Sequence, residues 1–259
     1  GVQCPCILLQ LIATGKPLST AGMMIEDRTR TYTIAMERTG VPENFSFRMT
    51  DEEYRVLEKI KNSIPVCYLA DHADFALGIV TGNNKKFLSA EKTEHSEMVL
   101  KGTDICKYHI NPAKQYLRFE PEQFQQVAPL EIYRAPEKLL YRFISNQLVV
   151  AYDDRQMLSL NSCNIVIPKI EGMQIKYILA ILNSSVSQFV YQKEFHSIKV
   201  LRAHMEHIPI PRVGKAIQNE IIAMTEPLIY RPSFRCSTFM PRPTACAPMW
   251  CGAWATFRG

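Results

Sequence analysis

The chain has 259 residues with 47% hydrophobic and 21% charged side chains, a composition that excludes an intrinsically disordered protein and can build a large core. Its formal net charge of +5 does not by itself favour nucleic-acid binding, because residues 227–259 contribute four of those charges through four arginines and no acidic residue. No apolar run reaches about 18 residues and the eight cysteines form no C-x-x-C pair, so we expect a cytoplasmic protein with reduced thiols and no membrane partner.

The beginning of the chain contains an apolar segment, an irregular segment and a helix start. The run GVQCPCILLQLI at residues 1–12 predicts a buried strand, whereas residues 13–49 are polar and predict irregular structure. Thr50-Asp51-Glu52-Glu53 has the spacing of a capping box, which predicts that a linker helix over residues 50–63 starts here.

Residues 64–226 have the patterning of one complete domain, with strands first and helices last. Strands are predicted at Phe75–Thr81, Tyr116–Phe119, Lys138–Ile144, Leu148–Tyr152 and Cys163–Pro168, with a hairpin turn at Ser145-Asn146-Gln147. Apolar residues at helical spacing predict helices over Gln174–Phe195 and Gly214–Thr225. This order of elements predicts a mixed α+β fold.

The composition changes at Pro227. Residues 227–259 hold both tryptophans and several prolines but show no helical or strand period. We interpret them as an aberrant or disordered tail that takes no part in function. A natural extension that packs on the domain is the alternative.

One short segment, FALGIVTGNNKKFL at residues 75–88, joins an apolar run to a turn that carries two lysines. Gly82-Asn83-Asn84 is typical of a turn that needs a positive φ, and Lys85 and Lys86 follow it directly. Two interpretations are open: a solvated hairpin turn, or a loop whose lysines contact a phosphate backbone. The nucleotide-binding P-loop is excluded because the spacing G-x-x-x-x-G-K-[ST] is absent.

No complete catalytic site is visible in the sequence. His204 and His207 have helical spacing but no third metal ligand nearby, so we expect them at a helix end. Asp153-Asp154 with Glu171 resembles the carboxylates of a metal-dependent nuclease, but Met173 stands where such a site needs a lysine. We therefore predict no catalytic residue and no metal ligand, and keep a divergent nuclease as an alternative.

Basic and amide side chains collect in the predicted loops instead. Cations neutralise DNA phosphates and amides can read base edges, so loops of this composition favour DNA binding. The candidate phosphate contacts are Lys85, Lys86, Lys101, Lys193, Lys199 and Arg202. Asn83, Asn84 and Arg142 are candidates for base or phosphate contact, and Gly82 would let the backbone approach the duplex closely.

Several spaced motifs occur in one order, namely FALGIVTGNNKKFL, VLKGTDICKY, YLRFEP, KLLYRFISNQLVVAYDD, NSCNIVIP, YILAILNSSVSQFVYQKEF and SIKVLRAHMEHIPIP. Over residues 64–212 this order resembles the TaqI-like C-terminal specificity domain, the target recognition domain of adenine-specific DNA methyltransferases and of fused type II restriction-modification enzymes. GVQCPCILLQL likewise resembles the last strand of the methyltransferase domain that precedes this module. The resemblance implies a methyltransferase-domain remnant at residues 1–49, the linker helix, and a target recognition domain at residues 64–226.

The resemblance also implies partners and a cofactor. The expected partners are double-stranded DNA and an upstream methyltransferase domain, and S-adenosylmethionine is the cofactor of the parent enzyme. The family's Gly-rich cofactor loop and its Asn-Pro-Pro-Tyr-type motif for the flipped adenine are absent from this sequence, so we expect this chain to bind no cofactor and to transfer no methyl group. An alternative of the same class is a specificity subunit of a type I restriction system, which would have two such domains joined by long helices.

Overall fold

The computed structural model describes residues 19–26, 30–38, 48–195 and 197–230, and these have the mixed α+β fold that the sequence predicts. The chain divides into two compact units, residues 1–56 and residues 57–259. The division falls inside helix α1 (Asp51–Asn62), so the domain boundaries after residues 49 and 63 stay predictions.

The first unit contains a β-hairpin that the sequence did not predict. Strand β1 (Met23–Glu26) pairs antiparallel with β2 (Thr31–Ile34), and Met23 lies opposite Ile34. Irregular structure was therefore the wrong prediction here, because strands of four residues are too short to show a clear period of two. The strand predicted over residues 1–12 lies outside the described residues.

The start of α1 confirms the predicted capping box. The Glu53 amide donates to Thr50 Oγ1 at 3.2 Å, and the Thr50 amide donates to Glu53 Oε2 at 3.0 Å. Both bonds satisfy amides that the first helical turn leaves without a partner. Sequence spacing alone was sufficient to locate this helix start.

The second unit contains the remaining elements. Its strands are β3 (Val66–Cys67), β4 (Ala73–Ala76), β5 (Leu88–Ser89), β6 (Ser96–Leu100), β7 (Tyr116–Arg118), β8 (Lys138–Arg142), β9 (Val150–Asp153), β10 (Leu158–Ser159), β11 (Cys163–Pro168) and β12 (Ile210–Pro211). Its helices are α2 (Asn84–Phe87), α3 (Leu130–Tyr133), α4 (Ile175–Asn183), α5 (Ser185–Glu194), α6 (Arg202–Glu206) and α7 (Lys215–Tyr230), together with the C-terminal part of α1. None of the described helices combines the length and apolar character needed to cross a bilayer.

Two four-stranded sheets form the body of this unit. The first has the order β4-β11-β8-β9 and is antiparallel throughout, which confirms the predicted pairing of β8 with β9. The second has the order β10-β6-β7-β5, with β10 parallel to β6 and the other pairs antiparallel. One apolar cluster draws residues from both sheets, among them Leu100, Leu117, Leu140 and Ile165, all of which are fully buried. The sheets therefore share a core, which fixes the loops between them.

The helix predicted over Gln174–Phe195 is two helices, α4 and α5, that meet at Ser184. Ser184 has extended backbone angles, and its Oγ accepts a hydrogen bond from the Ser187 amide at 3.1 Å. The prediction of one continuous helix is wrong at this residue. Apolar spacing continues across the break, but a serine that caps the second helix ends the first one.

Helix α7 continues past the end that composition predicted. It contains Pro227 and runs to Tyr230, whose hydroxyl donates to Asp154 Oδ2 at 3.0 Å. Ile229 is buried. The predicted tail boundary at Pro227 is therefore wrong, because tertiary contacts beyond the proline hold the last turn even though proline cannot donate the usual helical hydrogen bond. Residues 231–259, the rest of that predicted tail, lie outside the described residues.

The outer edge of β9 is covered at Val150 and Tyr152. The side-chain amide of Asn183 accepts from the Val150 amide at 3.1 Å and donates to the Val150 carbonyl at 2.8 Å. Tyr108, which has a φ of +77°, donates its amide to the Val150 carbonyl at 2.7 Å and accepts from the Tyr152 amide at 3.2 Å. The end of α4 and the Tyr108 segment thus occupy the edge positions where another strand would pair.

Candidate nucleic-acid interface

One β-turn, Leu160–Cys163, joins β10 of the second sheet directly to β11 of the first. The Cys163 amide donates to the Leu160 carbonyl at 2.7 Å. Two glycines pack against this turn: a Cβ at Gly78 would lie 2.1 Å from the Leu160 carbonyl oxygen, and a Cβ at Gly102 would lie 2.4 Å from the Ser162 carbonyl oxygen. Only glycine allows such an approach, so both positions require it. We call Leu160–Cys163 the connecting turn.

The segment that leads to the Gly-Asn-Asn motif is bonded to one side of the connecting turn. The Ile79 amide donates to the Ser159 carbonyl at 2.7 Å, and the Asn161 amide donates to the Ile79 carbonyl at 3.1 Å. The predicted strand Phe75–Thr81 is correct only in its first part, because β4 ends at Ala76 and residues 79 and 80 form isolated bridges. The hydrogen bonds to the turn take the place of strand pairing.

The Gly-Asn-Asn motif begins a short helix. Gly82 has a φ of +74°, as the sequence predicted, and Asn83 caps α2 by accepting from the Lys86 amide at 3.2 Å. Asn84 accepts from the Thr81 hydroxyl at 2.6 Å. The hairpin interpretation is wrong, since β5 pairs with β7 and not with β4. Both asparagine side chains therefore help to shape the motif.

The two lysines of the motif differ in their surroundings. The Lys86 ammonium donates to Gln123 Oε1 at 2.6 Å and lies 4.8 Å from the centroid of the buried Phe87 ring. Lys85 is exposed and makes no hydrogen bond or ion pair with the residues that the structure describes. Of the two, Lys85 is better placed to neutralise a phosphate, because its ammonium has no competing acceptor.

Lys101 and Arg142 meet at the other side of the connecting turn. Lys101 is half-buried and precedes a 3-10 turn at Gly102–Asp104, where its amide donates to Asp104 Oδ2 at 2.8 Å. The Gly102 amide donates to Ser162 Oγ at 3.0 Å, which ties this 3-10 turn to the connecting turn. Arg142 donates from Nε to the Gly102 carbonyl at 2.8 Å and from Nη2 to the Ile105 carbonyl at 2.6 Å.

The contacts of Arg142 indicate a structural role. Two of its guanidinium N–H groups are directed at backbone carbonyls of residues 102 and 105, and the side chain is partly covered. Its contact with a base or a phosphate stays a prediction, and we give it less weight than that of the exposed lysines. What Arg142 does in this structure is hold the Lys101 segment in place.

The segment that carries Lys199 joins the same network through Phe143. The Phe143 amide donates to the Ser162 carbonyl at 3.0 Å, and the Val200 amide donates to the Phe143 carbonyl at 2.7 Å. The exposed Lys199 ammonium lies 5.7 Å from the Phe143 ring centroid. Arg202, in contrast, is paired with Glu206 at 2.7 Å and lies 5.2 Å from the centroid of Phe75.

The structure therefore brings most of the predicted residues onto segments that are hydrogen-bonded to the connecting turn, either directly or through a neighbouring segment. These segments carry Gly82, Asn83, Asn84, Lys85, Lys86, Lys101, Arg142 and Lys199. Lys193 belongs to α5, where its ammonium is 5.7 Å from the Phe189 ring centroid. Sequence reasoning missed the connecting turn itself, although Asn161-Ser162 between two short strands is a turn signal that could have located it.

The residues considered for other chemistry have structural partners. Asp153 is fully buried and forms an ion pair with Lys138 at 2.6 Å, so its carboxylate is closed to a metal ion. His204 Nδ1 accepts from the Leu201 amide at 3.2 Å, and His207 Nδ1 lies 2.7 Å from the Ala203 carbonyl oxygen, which confirms the helix-end prediction for both. Burial lowers the pKa of His204. Among the described residues no group of three metal-binding side chains is present.

Residues 97–210 match the family model of the TaqI-like C-terminal specificity domain. The matched range contains the connecting turn, Lys101, Arg142 and Lys199, and it begins after the Gly-Asn-Asn motif. Over these residues the chain is similar to that specificity domain, and the resemblance predicted from the ordered motifs is confirmed. No curated protein matches the chain.

Solved structures of restriction-modification proteins are also similar to this chain. A chain from a study of complex assembly and conformational transition in a type I R-M system matches with a TM-score of 0.44 and 13% identity, over 69% of this chain and 44% of that one. The HsdS subunit from Thermoanaerobacter tengcongensis matches with a TM-score of 0.40 and 14% identity, over 68% of this chain and 42% of that one. The type IIL restriction-modification enzyme MmeI in complex with DNA matches with a TM-score of 0.43 and 10% identity, over 62% of this chain and 28% of that one. This chain thus spans less than half the length of each.

Proposed function

We propose that this chain is the DNA-recognition part of a restriction-modification system and selects the duplex sequence on which that system acts. The observation that carries the proposal is the convergence of the basic segments on the connecting turn of a specificity domain. Three such segments, which include Lys85, Lys101 and Lys199, are fixed to the turn by backbone or side-chain hydrogen bonds. Cations held by a rigid scaffold are what binding to a phosphate backbone requires.

We propose further that the parent enzyme is an adenine-N6 DNA methyltransferase whose catalytic domain lies upstream of this chain. The support is the set of motifs that resemble the recognition domain of such enzymes and the run at residues 1–12 that resembles their last methyltransferase strand. In that arrangement this chain chooses the site and holds the duplex, and the upstream domain binds S-adenosylmethionine and transfers the methyl group. A reading frame that continues upstream into an Asn-Pro-Pro-Tyr motif would support this arrangement, and one that continues into a second specificity domain would favour a type I subunit.

The DNA-binding proposal is tested by selection of the full chain against a pool of random duplexes, followed by sequencing of the bound fraction. We expect one sequence class to be enriched, and we expect the logarithm of its affinity to fall linearly with the logarithm of salt concentration. Binding that is equally strong for every duplex and for heparin would reduce the interaction to nonspecific charge attraction. A sample that retains no duplex at low salt would contradict the proposal outright.

A further inference from the structure

We propose that Asn161 is a specificity-determining residue that reads a base edge from the connecting turn. The inference rests on the DNA-binding function proposed above, and it concerns a residue outside the set predicted from the sequence. Asn161 occupies the second position of the Leu160–Cys163 turn, between the two sheets, and it is exposed. Its position, its rigidity and its free side-chain amide each support the inference.

The position of Asn161 is central among the basic segments. Its own amide donates to the Ile79 carbonyl, three residues before Gly82. The next residue, Ser162, accepts from the Gly102 amide through Oγ and from the Phe143 amide through its carbonyl oxygen. A duplex held by the lysines of these three segments would therefore lie over the turn that joins them.

The backbone of Asn161 is held firmly on both sides. Gly78 and Gly102 pack against the carbonyls of Leu160 and Ser162 at distances that leave no room for a Cβ. The Leu160 amide also donates to the Leu100 carbonyl at 2.8 Å, at the end of β6. Base reading demands a side chain whose backbone does not move when the duplex binds, and this turn provides one.

The side chain of Asn161 is not used by the fold. Among the described residues its amide group forms no hydrogen bond, whereas Asn83, Asn84 and Asn183 use theirs to cap a helix, shape a loop or cover a strand edge. An asparagine amide can pair with N6 and N7 of adenine in the major groove through one donor and one acceptor. We infer that adenine is the base that Asn161 recognises.

The test measures base preference with the full chain and two variants of this residue. Asn161→Ala removes the donor and the acceptor of the side-chain amide, so affinity for the preferred duplex should fall about 5- to 150-fold. Affinity for duplexes in which the adenine read by Asn161 is replaced should stay the same. Asn161→Asp keeps the shape but only accepts hydrogen bonds, so the preference at that one position should move from adenine toward cytosine, whose N4 amino group donates. Asn62→Ala, at an exposed asparagine at the end of α1, is the matched control and should leave every preference unchanged.

The outcomes separate this inference from the function on which it rests. If the wild-type chain selects a sequence and Asn161→Ala selects the same one with equal affinity, Asn161 is only a turn residue and the inference is overturned. If both variants lose affinity equally for all duplexes, the residue positions the loops and does not read a base, which also overturns the inference. If the wild-type chain selects no sequence at all, the proposed function fails first, and the inference fails with it.

Discussion

Lys138 and Asp153 lie directly opposite each other on β8 and β9, with 2.6 Å between Nζ and Oδ2 and no exposed surface on either side chain. Lys138 also donates to the Tyr133 carbonyl at 2.6 Å, and Asp153 accepts from the Arg155 and Met157 amides, each at 2.9 Å. Burial lowers the pKa of Lys138, and the Asp153 carboxylate opposes that shift. Both charged groups thus have several partners inside the protein, and the pair favours the register in which these residues of the two strands face each other.

Removal of one partner of this pair should be costly. We expect Asp153→Asn to lower the free energy of unfolding by about 3–5 kcal/mol, because it leaves a buried ammonium without its counter-charge. Lys138→Met combined with Asp153→Asn should recover much of that loss, since no buried charge remains. Urea denaturation of the two variants and the wild type measures this, and a double variant no more stable than the single one would show that the pair is not coupled in this way.

The close contact at Gly78 predicts a second stability effect. Gly78→Ala places a methyl group 2.1 Å from the Leu160 carbonyl oxygen, so the backbone must move, at a cost of about 1–3 kcal/mol or more. Gly214→Ala is the matched control, because no atom lies within 4 Å of its Cβ position, and we expect a change of about 0.5 kcal/mol or less. Equal melting midpoints for the two variants would mean that the connecting turn adapts without strain.

The C-terminal end of α7 can be located by truncation. Deletion after Glu226 removes the buried Ile229 and the Tyr230 hydrogen bond, so we expect a loss of about 1.5–3 kcal/mol. Deletion after Tyr230 should change the stability by about 0.5 kcal/mol or less and leave DNA selection intact, because residues 231–259 are predicted to take no part in recognition. If the shorter deletion has the larger effect, that prediction for the tail is wrong.

The hairpin unit should show its own dependence on pH. Arg38 donates to Asp51 Oδ1 at 2.7 Å, and the hydrogen bond from its guanidinium is the largest cause that lowers the pKa of Asp51. A carboxyl group whose pKa is lower in the folded state contributes stability above its unfolded value of about 3.9, and this contribution is lost as pH falls through the folded value. The melting midpoint should therefore fall more steeply with decreasing pH below about pH 4 for the wild type than for Asp51→Asn. If the melting midpoints of the two proteins fall in parallel, Asp51 does not contribute to the pH dependence of stability.

The proposed DNA binding predicts separable contributions from the two lysines of the Gly-Asn-Asn motif. We expect Lys85→Ala to lower the slope of log affinity against log salt by about one unit for every duplex, because one phosphate contact is lost. The double change at Lys85 and Lys86 should lower it by about one to two units, and Lys215→Ala at the start of α7 should leave it unchanged. Fluorescence anisotropy over a salt series gives all three slopes. An unchanged slope in the double variant would leave these lysines as solvated surface charges.

The sequence predicted the elements whose signal is local. The capping box at Thr50, the strand Cys163–Pro168 and the positive φ of Gly82 all depend on residues close in the chain, and each is found where it was predicted. The break at Ser184 and the helical turn through Pro227 depend on tertiary contacts, which periodicity does not report. The connecting turn was missed for the same reason, because its importance comes from segments about 20 to 80 residues away that bond to it.

The candidate site divides in the same way. Residue type and motif order identified the lysine-bearing loops and the resemblance to the specificity domain, but the sequence did not distinguish a free cation from one with a structural partner. Arg142 and Arg202 look alike in sequence, yet one holds backbone carbonyls and the other pairs with Glu206. Such partners arise from folding of distant segments, so only the structure identifies Lys85 and Lys199 as the more available cations.

The covering of β9 by Asn183 and Tyr108 has a consequence for self-association. An edge strand with unpaired backbone groups is a template for a strand of a neighbouring molecule and promotes aggregation. At Val150 and Tyr152 those groups are already bonded, so two copies of this chain cannot join their central sheets at these residues. The covered edge of β9 thereby resists strand exchange between copies, and the side-chain amide of Asn183 makes two of the four hydrogen bonds that cover it.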